Sequence, residues 1–145
     1  MYRARPATPD DLPGVLQVDA AVAGDKHDAD IMLRAIEAGR LFVADEEGVV
    51  LAYLRWDFFW DTIPLCLTVR VRPEHQRRGV GRALYGLAEE GHRSQGQAFW
   101  LSSTEETNRR SLLFHDALAF RRVGTLFDLG QDVGEIFLRK DLSWP

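Results

Sequence analysis

Cysteine is almost missing from the 145-residue chain, Cys66 being the only one. A lone thiol cannot form a disulfide within the chain, and without a cluster of Cys and His partners it is no structural zinc pattern. A reducing intracellular setting and no bound metal are therefore expected. Long apolar runs are missing too. No segment approaches the ~20 apolar residues that cross a bilayer, and the opening Met1-Tyr2-Arg3-Ala4-Arg5-Pro6 lacks a signal-peptide stretch. These absences argue against membrane insertion and export and leave the cytoplasm as the expected location. Positive charge is not in excess: 18 Lys and Arg against 22 Asp and Glu give a net charge of -4. That balance disfavours a nucleic-acid partner held mainly through phosphates. No repeat, low-complexity tract or Pro/Gly/Ser-rich linker marks an internal boundary. What is present is 46% hydrophobic residues, enough for a core in a single domain spanning residues 1–145.

The pattern of residues predicts alternating elements. A short strand near Tyr2 to Arg5 precedes Thr8-Pro9-Asp10-Asp11, where Thr8 or Asp10 caps a helix to about Ala23. A second helix covers Asp28 to Ala38, with Ile31, Leu33, Ala35 and Ile36 as apolar contacts and Gly39 as its stop. Leu41 to Ala44 and Val49 to Arg55 read as a hairpin across Asp45-Glu46-Glu47-Gly48. From Leu65 to Val71, apolar and polar residues alternate with the period of a strand, ended by Pro73. Val80, Ala83, Leu84, Leu87 and Ala88 then recur at helical spacing to about Ser94. A strand from Ala98 to Ser102, a helix from Asn108 to Leu118, and strands from Phe120 to Phe127 and Glu135 to Lys140 complete the order. The helix between the Leu65 and Ala98 strands has the length of a right-handed crossover, so those two strands are expected to be parallel neighbours.

The strand-to-helix passage around Gly79-Val80-Gly81 carries the strongest chemical signal. Glycines admit an anion to the backbone without Cβ obstruction, and the first helical turn offers unpaired N–H donors with the positive end of the dipole. Arg77, Arg78 and Arg82 could add charge-assisted contacts, and Gln76 could brace the loop. A pyrophosphate suits that cradle, although Gly-x-Gly also occurs in ordinary turns. Neither Gly-x-x-x-x-Gly-Lys-Ser/Thr nor Gly-x-Gly-x-x-Gly with a following acid is present.

Gln76-Arg77-Arg78-Gly79-Val80-Gly81 resembles the Arg/Gln-x-x-Gly-x-Gly/Ala signature of the GNAT acyltransferases, and the preceding strand and Pro73 are similar too. The similarity runs over nearly the whole chain, and its motif-specific part spans about Leu65 to Phe120. It implies an α/β fold of the α+β type: a mixed, mostly antiparallel central sheet, splayed at the cofactor site and flanked by helices. It also implies acetyl-CoA as acyl donor, without a metal. The pyrophosphate would lie on Arg77, Arg78, Gly79, Val80, Gly81 and Arg82, and the pantetheine would bond the backbone near Val69 and Val71. Asn108, followed by Ser111, Leu112 and Phe114, is similar to the family's Asn-x-x-Ala/Ser pattern, which implies a hydrogen bond to pantetheine. Asn108 reads equally well as a helix cap.

His115 stands where many members carry the tyrosine that protonates the departing thiolate, and Ala119-Phe120 replaces their Gly-Phe. An imidazolium can donate that proton, so His115 is a candidate general acid; the alternative is a partly exposed helix histidine without a catalytic task. No base stands out, because Ser103 occupies the place where some members have glutamate. Trp56, Asp57, Trp60 and Asp61, in an aromatic stretch with two acids, would suit a pocket for a cationic amine. The same rings would serve as core or as the contact of a homodimer, and the acids as ordinary solvated carboxylates. Cys66 lacks a partner that would generate a thiolate and reads as a packed thiol. The expected reaction is direct attack of a primary amine, on a small molecule or a protein, on the thioester in a ternary complex. The alternative is a CoA-binding regulatory module with little or no transfer.

Overall fold

The computed structural model describes residues 1–24 and 28–142. Among them the strands are β1 (Arg3–Pro6), β2 (Leu41–Glu46), β3 (Val49–Phe59), β4 (Ile63–Val71), β5 (Phe99–Glu105), β6 (Arg121–Leu126) and β7 (Glu135–Asp141). The helices are α1 (Leu12–Ala23), α2 (Ala29–Glu37), α3 (Val80–Ser94) and α4 (Arg109–Ala117). The strands form one mixed sheet in the order β1-β2-β3-β4-β5-β7-β6. β4 and β5 are parallel, with Leu65 opposite Leu101, as the crossover through α3 requires. The β1–β2, β2–β3, β5–β7 and β6–β7 pairings are antiparallel. By contacts the chain falls into two units, Met1–Asp57 with Leu67–Gly91, and Phe58–Cys66 with the chain from His92 onward.

In the first unit, Val15 and Val18 of α1 and Met32 and Ile36 of α2 pack on Leu41, Val43, Val50 and Tyr53 of the sheet. Spacings of three and four put each pair on one helix face. The expected contact at Ile31 is corrected: that side chain is exposed, and Met32 takes the inward place. Asp28 stands outside α2 as its cap, accepting from the N–H groups of Asp30 and Ile31 at 2.9 and 3.2 Å. The first expected helix also begins differently. Pro9–Asp11 is a separate 3-10 turn capped by Thr8, whose N–H donates to the Asp11 carboxylate at 2.8 Å. Asp11 is in turn held by Arg5 at 2.8 and 2.9 Å. The β2–β3 loop narrows to Glu47-Gly48, with φ of 51° and 82°, the geometry favoured in two-residue hairpins. β3 continues four residues past Arg55 through strand-favouring aromatics, so Trp56 and Asp57 lie on a strand.

In the second unit, Trp100, Ser102 and Thr104 point inward from alternate positions of β5, with Ile136 and Leu138 from β7 and Leu112 and His115 from α4. The Trp100 ring lies 4.9 Å from His92 and 5.7 Å from Phe120 between centroids. β6 ends the sheet order and is exposed along its whole length.

α2, α3 and α4 share one terminator. The N–H after the cap and the next one return to carbonyls in the last turn, as in Gly39 to Ile36 and Arg40 to Ala35, or Gly96 to Arg93 and Gln97 to His92. That reversal needs a left-handed residue, which is Gly39 at φ 74° and Gly96 at φ 79°. α4 closes identically through Ala119 and Phe120, with Ala119 at φ 69°. An alanine Cβ costs about 1 kcal/mol in that region. Ala119→Gly is therefore expected to stabilise the protein by roughly 0.5–1 kcal/mol and raise Tm by a few degrees in thermal unfolding. An unchanged or lower Tm would refute strain at this cap.

Candidate functional site

β4 is the middle strand of the sheet, where side chains should be most enclosed. Its C-terminal half is not: Leu67 is 43% exposed, and Thr68 to Val71 are only half-buried. Cys66 is buried at 4% exposure, as a packed thiol should be. The strand thus ends beside open space at the point where Val69 and Val71 were expected to offer their backbone.

The chain then makes a 3-10 turn at Pro73–His75, and Gln76 donates from Nε2 to the carbonyl of Val71 at 3.2 Å. Arg77 and Gly79 both take left-handed conformations, φ 63° and 80°. For Arg77 this is a strained state that the loop must hold in place. Gly79 accepts from the N–H of Ala83 at 3.0 Å, so the chain enters α3 directly and the first-turn N–H groups stay available as donors. Val80 is buried and anchors the helix start. A Cβ on Gly79 would meet only the Tyr2 hydroxyl, at 3.7 Å, so φ rather than space demands glycine there. Arg77, Arg78 and Arg82 are exposed. Arg78 is steadied by His75 Nδ1 at 2.7 Å and lies 4.0 Å from Glu46. Three cations beside a helix N-terminus have the charge and donor chemistry that suits a dianion.

A polar cluster that sequence reasoning missed lies in the same unit. Asp19 of α1 is 2% exposed. Its carboxylate accepts from the Tyr53 hydroxyl on β3 and from Arg70 Nη1 on β4 at 2.7 Å. Burial, and then the Asp19 carboxylate, hold the Tyr53 hydroxyl well above the ordinary phenol range, so it remains a donor. Arg55 follows Tyr53 by two positions on β3 and so lies on the same face of the sheet. The buried Nε of Arg55 has no hydrogen-bond partner among the described residues. A signal for Arg70 was present in the sequence, an arginine in phase with buried Cys66 on a central strand. For Asp19 there was none, because α1 could be oriented only once its face was known.

The aromatic stretch is divided between the units. Asp57 pairs with Arg40 at 2.6 Å, and the Arg40 guanidinium lies over Trp56 at 5.7 Å. Trp60 and Asp61 form the β3–β4 turn at φ 53° and 62°. Trp60, 76% exposed, stacks on Phe59 at 4.6 Å.

In the second unit, Asn108 caps α4: its Oδ1 accepts from the Ser111 N–H at 3.1 Å. His115 is 2% exposed rather than partly exposed. Its Nδ1 lies 2.7 Å from the Ser111 carbonyl and its Nε2 2.8 Å from Ser102 Oγ. A carbonyl only accepts, so Nδ1 carries the hydrogen and Nε2 receives the serine hydroxyl. Burial lowers the His115 pKa, which favours this neutral form. Among the described residues no cluster of His, Cys, Asp or Glu has the makings of a metal site, and no helix is long and apolar enough to cross a membrane.

Comparison with known proteins places this arrangement. Residues 13–120 match the acetyltransferase (GNAT) family. The L-amino acid N-acyltransferase MnaT of Escherichia coli K12 is 29% identical over 135 residues, covering 85% of this chain and 77% of that one. A GNAT-family acetyltransferase structure from Bacillus cereus superposes with a TM-score of 0.86 at 24% identity, covering 97% of both chains. The yncA structure from Salmonella typhimurium, a putative acetyltransferase with its cofactor acetyl-CoA, gives 0.79 at 24% identity, covering 98% of this chain and 94% of that one.

Burial also sets a pH limit on stability. His92 is lowered from 6.5 to about 4 by desolvation, and His115 is lowered by the same cause. Both bind protons more readily when unfolded. The stability tied to their neutral forms is therefore complete above pH 6.5 and is lost as pH falls towards 4. The urea midpoint should drop between pH 7 and pH 4.5, and His92→Phe should flatten part of that drop. An equally steep fall in the variant would clear His92 of the effect.

Proposed function

The chain belongs to the acetyltransferase (GNAT) family, enzymes of acyl transfer. On that premise we propose that it moves an acetyl group from acetyl-CoA to the primary amine of a small molecule or a protein, by direct attack in a ternary complex. The observation that carries the donor assignment is the left-handed Arg77 and Gly79 pair opening α3 beside three exposed arginines. These residues fit a pyrophosphate: the glycine keeps the backbone accessible, the helix start supplies N–H donors, and the arginines neutralise charge.

Arg77, Arg78, Gly79, Val80, Gly81 and Arg82 hold the pyrophosphate in this reading. The backbone of Val69 and Val71, at the exposed end of β4, aligns the pantetheine. In the second unit Asn108 can donate while keeping its cap, since Oδ1 serves the helix and Nδ2 is a separate donor. Bound acetyl-CoA supplies an acyl carbon activated as a thioester. Transfer forms a carbon–nitrogen bond as the carbon–sulfur bond breaks; the amine gives up a proton and the thiolate gains one. The chain contributes chiefly by positioning. His115, neutral and engaged at both ring nitrogens, holds β5 against α4 and is not the acid that protonates sulfur.

The family match draws residues from both units, which supports residues 1–145 acting as one N-acetyltransferase domain; the single cysteine and the net charge of -4 favour a cytoplasmic setting without a nucleic-acid partner. The similarity to the L-amino acid N-acyltransferase MnaT of E. coli supports an amine acceptor. The state of His115 favours one second reading, a CoA-binding regulatory module, which predicts binding without turnover.

Calorimetry with acetyl-CoA should show saturable binding, weakened about tenfold or more by Gly81→Asp, which sets a carboxylate against the phosphates. No binding by folded wild type would overturn the donor site. With a verified acceptor, His115→Gln should lower thermal stability yet leave the shape of the pH–kcat profile intact. Loss of its alkaline limb would restore His115 as the acid.

A further inference from the structure

The Asp19 cluster holds more positive charge than its buried carboxylate requires. Asp19 is compensated by the Tyr53 hydroxyl and one nitrogen of Arg70. The Arg70 side chain is nevertheless 30% exposed. Arg55 adds a second cation, with its buried Nε lacking a hydrogen-bond partner among the described residues. A buried guanidinium donor without an acceptor is costly. Two guanidinium groups around one carboxylate leave a net positive site whose free donors suit a planar anion.

The position of this site in the chain defines its ligand. Arg70 lies between Val69 and Val71, the residues assigned to the donor. An anion on Arg70 is thus within a few residues' width of the transfer point, where the acceptor must present its amine. We infer that Arg55 and Arg70 bind the carboxylate of the acceptor, and that the acceptor is a small α-amino acid rather than a polypeptide or a polyamine. A polypeptide N-terminus has its own carboxyl group tied up as an amide, and a polyamine has none. Asp19 and Tyr53 are positioning residues: they fix Arg70 and do not touch the acceptor.

This inference rests on the transferase reading above, and the test separates the two. Thiol release from saturating acetyl-CoA is measured with a panel of L-amino acids, their carboxamides, the matching decarboxylated amines, and peptides bearing the same residues at the N-terminus. Wild type should favour the free amino acid over its carboxamide by about 10- to 100-fold in kcat/KM, the range of a charge-assisted pair. Arg55→Gln should shrink that ratio to a few-fold, mainly through KM, with unaltered acetyl-CoA affinity by calorimetry. Arg55→Lys should restore part of it. Arg55 is the deciding position because Arg70→Gln also strips Asp19 of its cation and endangers folding. Carboxamides or peptides serving as well as free amino acids, or a ratio unmoved by Arg55→Gln, would overturn the carboxylate site and leave the transferase standing. Transfer to no acceptor at all, by protein that binds acetyl-CoA, would overturn both.

Discussion

A carboxylate cannot stay ionised inside a protein without compensation, and Asp19 is almost fully buried. The compensated group joins three elements: α1 supplies the acid, β3 the Tyr53 hydroxyl and β4 the Arg70 guanidinium. The apolar contacts of Val15 and Val18 press α1 on the sheet, but such contacts are non-directional. The hydrogen bonds to Asp19 set the azimuth of the helix and hold Arg70 on one face of β4. Alternation then turns Val69 and Val71 to the other face. One buried charge thereby orders which side chains each face of β4 presents.

Strain is found where the chain must change direction on either side of β4. Arg77 carries a left-handed backbone just before Gly79, while Trp60 and Asp61 do so at the β3–β4 turn. Such states persist only when neighbours over-determine them. Around Arg77 the determinants are visible: the 3-10 turn before it, the Gln76 side chain on the Val71 carbonyl, and buried Val80 after it. The loop conformation is thus fixed by its own neighbours.

The β4–loop–α3 passage was legible because its signals are local: a period of two, a proline, two glycines, then a period near 3.6. The parallel pairing of β4 with β5 followed from connection length alone. The start of α1 and the exposure of Ile31 were not legible, since a cap and a helix phase shift with a single residue, and tertiary contacts choose between them. His115 shows the same limit. The sequence offered a general acid or a partly exposed helix histidine; packing against Phe120 at 5.2 Å and hydrogen bonds to Ser102 and Ser111 bury the ring.

By itself the sequence determined the order of elements and the strand–loop–helix passage at Gly79, because each depends on residues adjacent in the chain. The charge environment beside β4 was decided only by tertiary structure. Asp19, Tyr53, Arg55 and Arg70 span 51 positions between the outermost hydrogen-bonded pair, and their meeting depends on strand pairing and helix orientation that no local pattern encodes. Burial then converted four ordinary polar residues into one electrostatic unit, since the energy of a charge is set by the water and partners left to it.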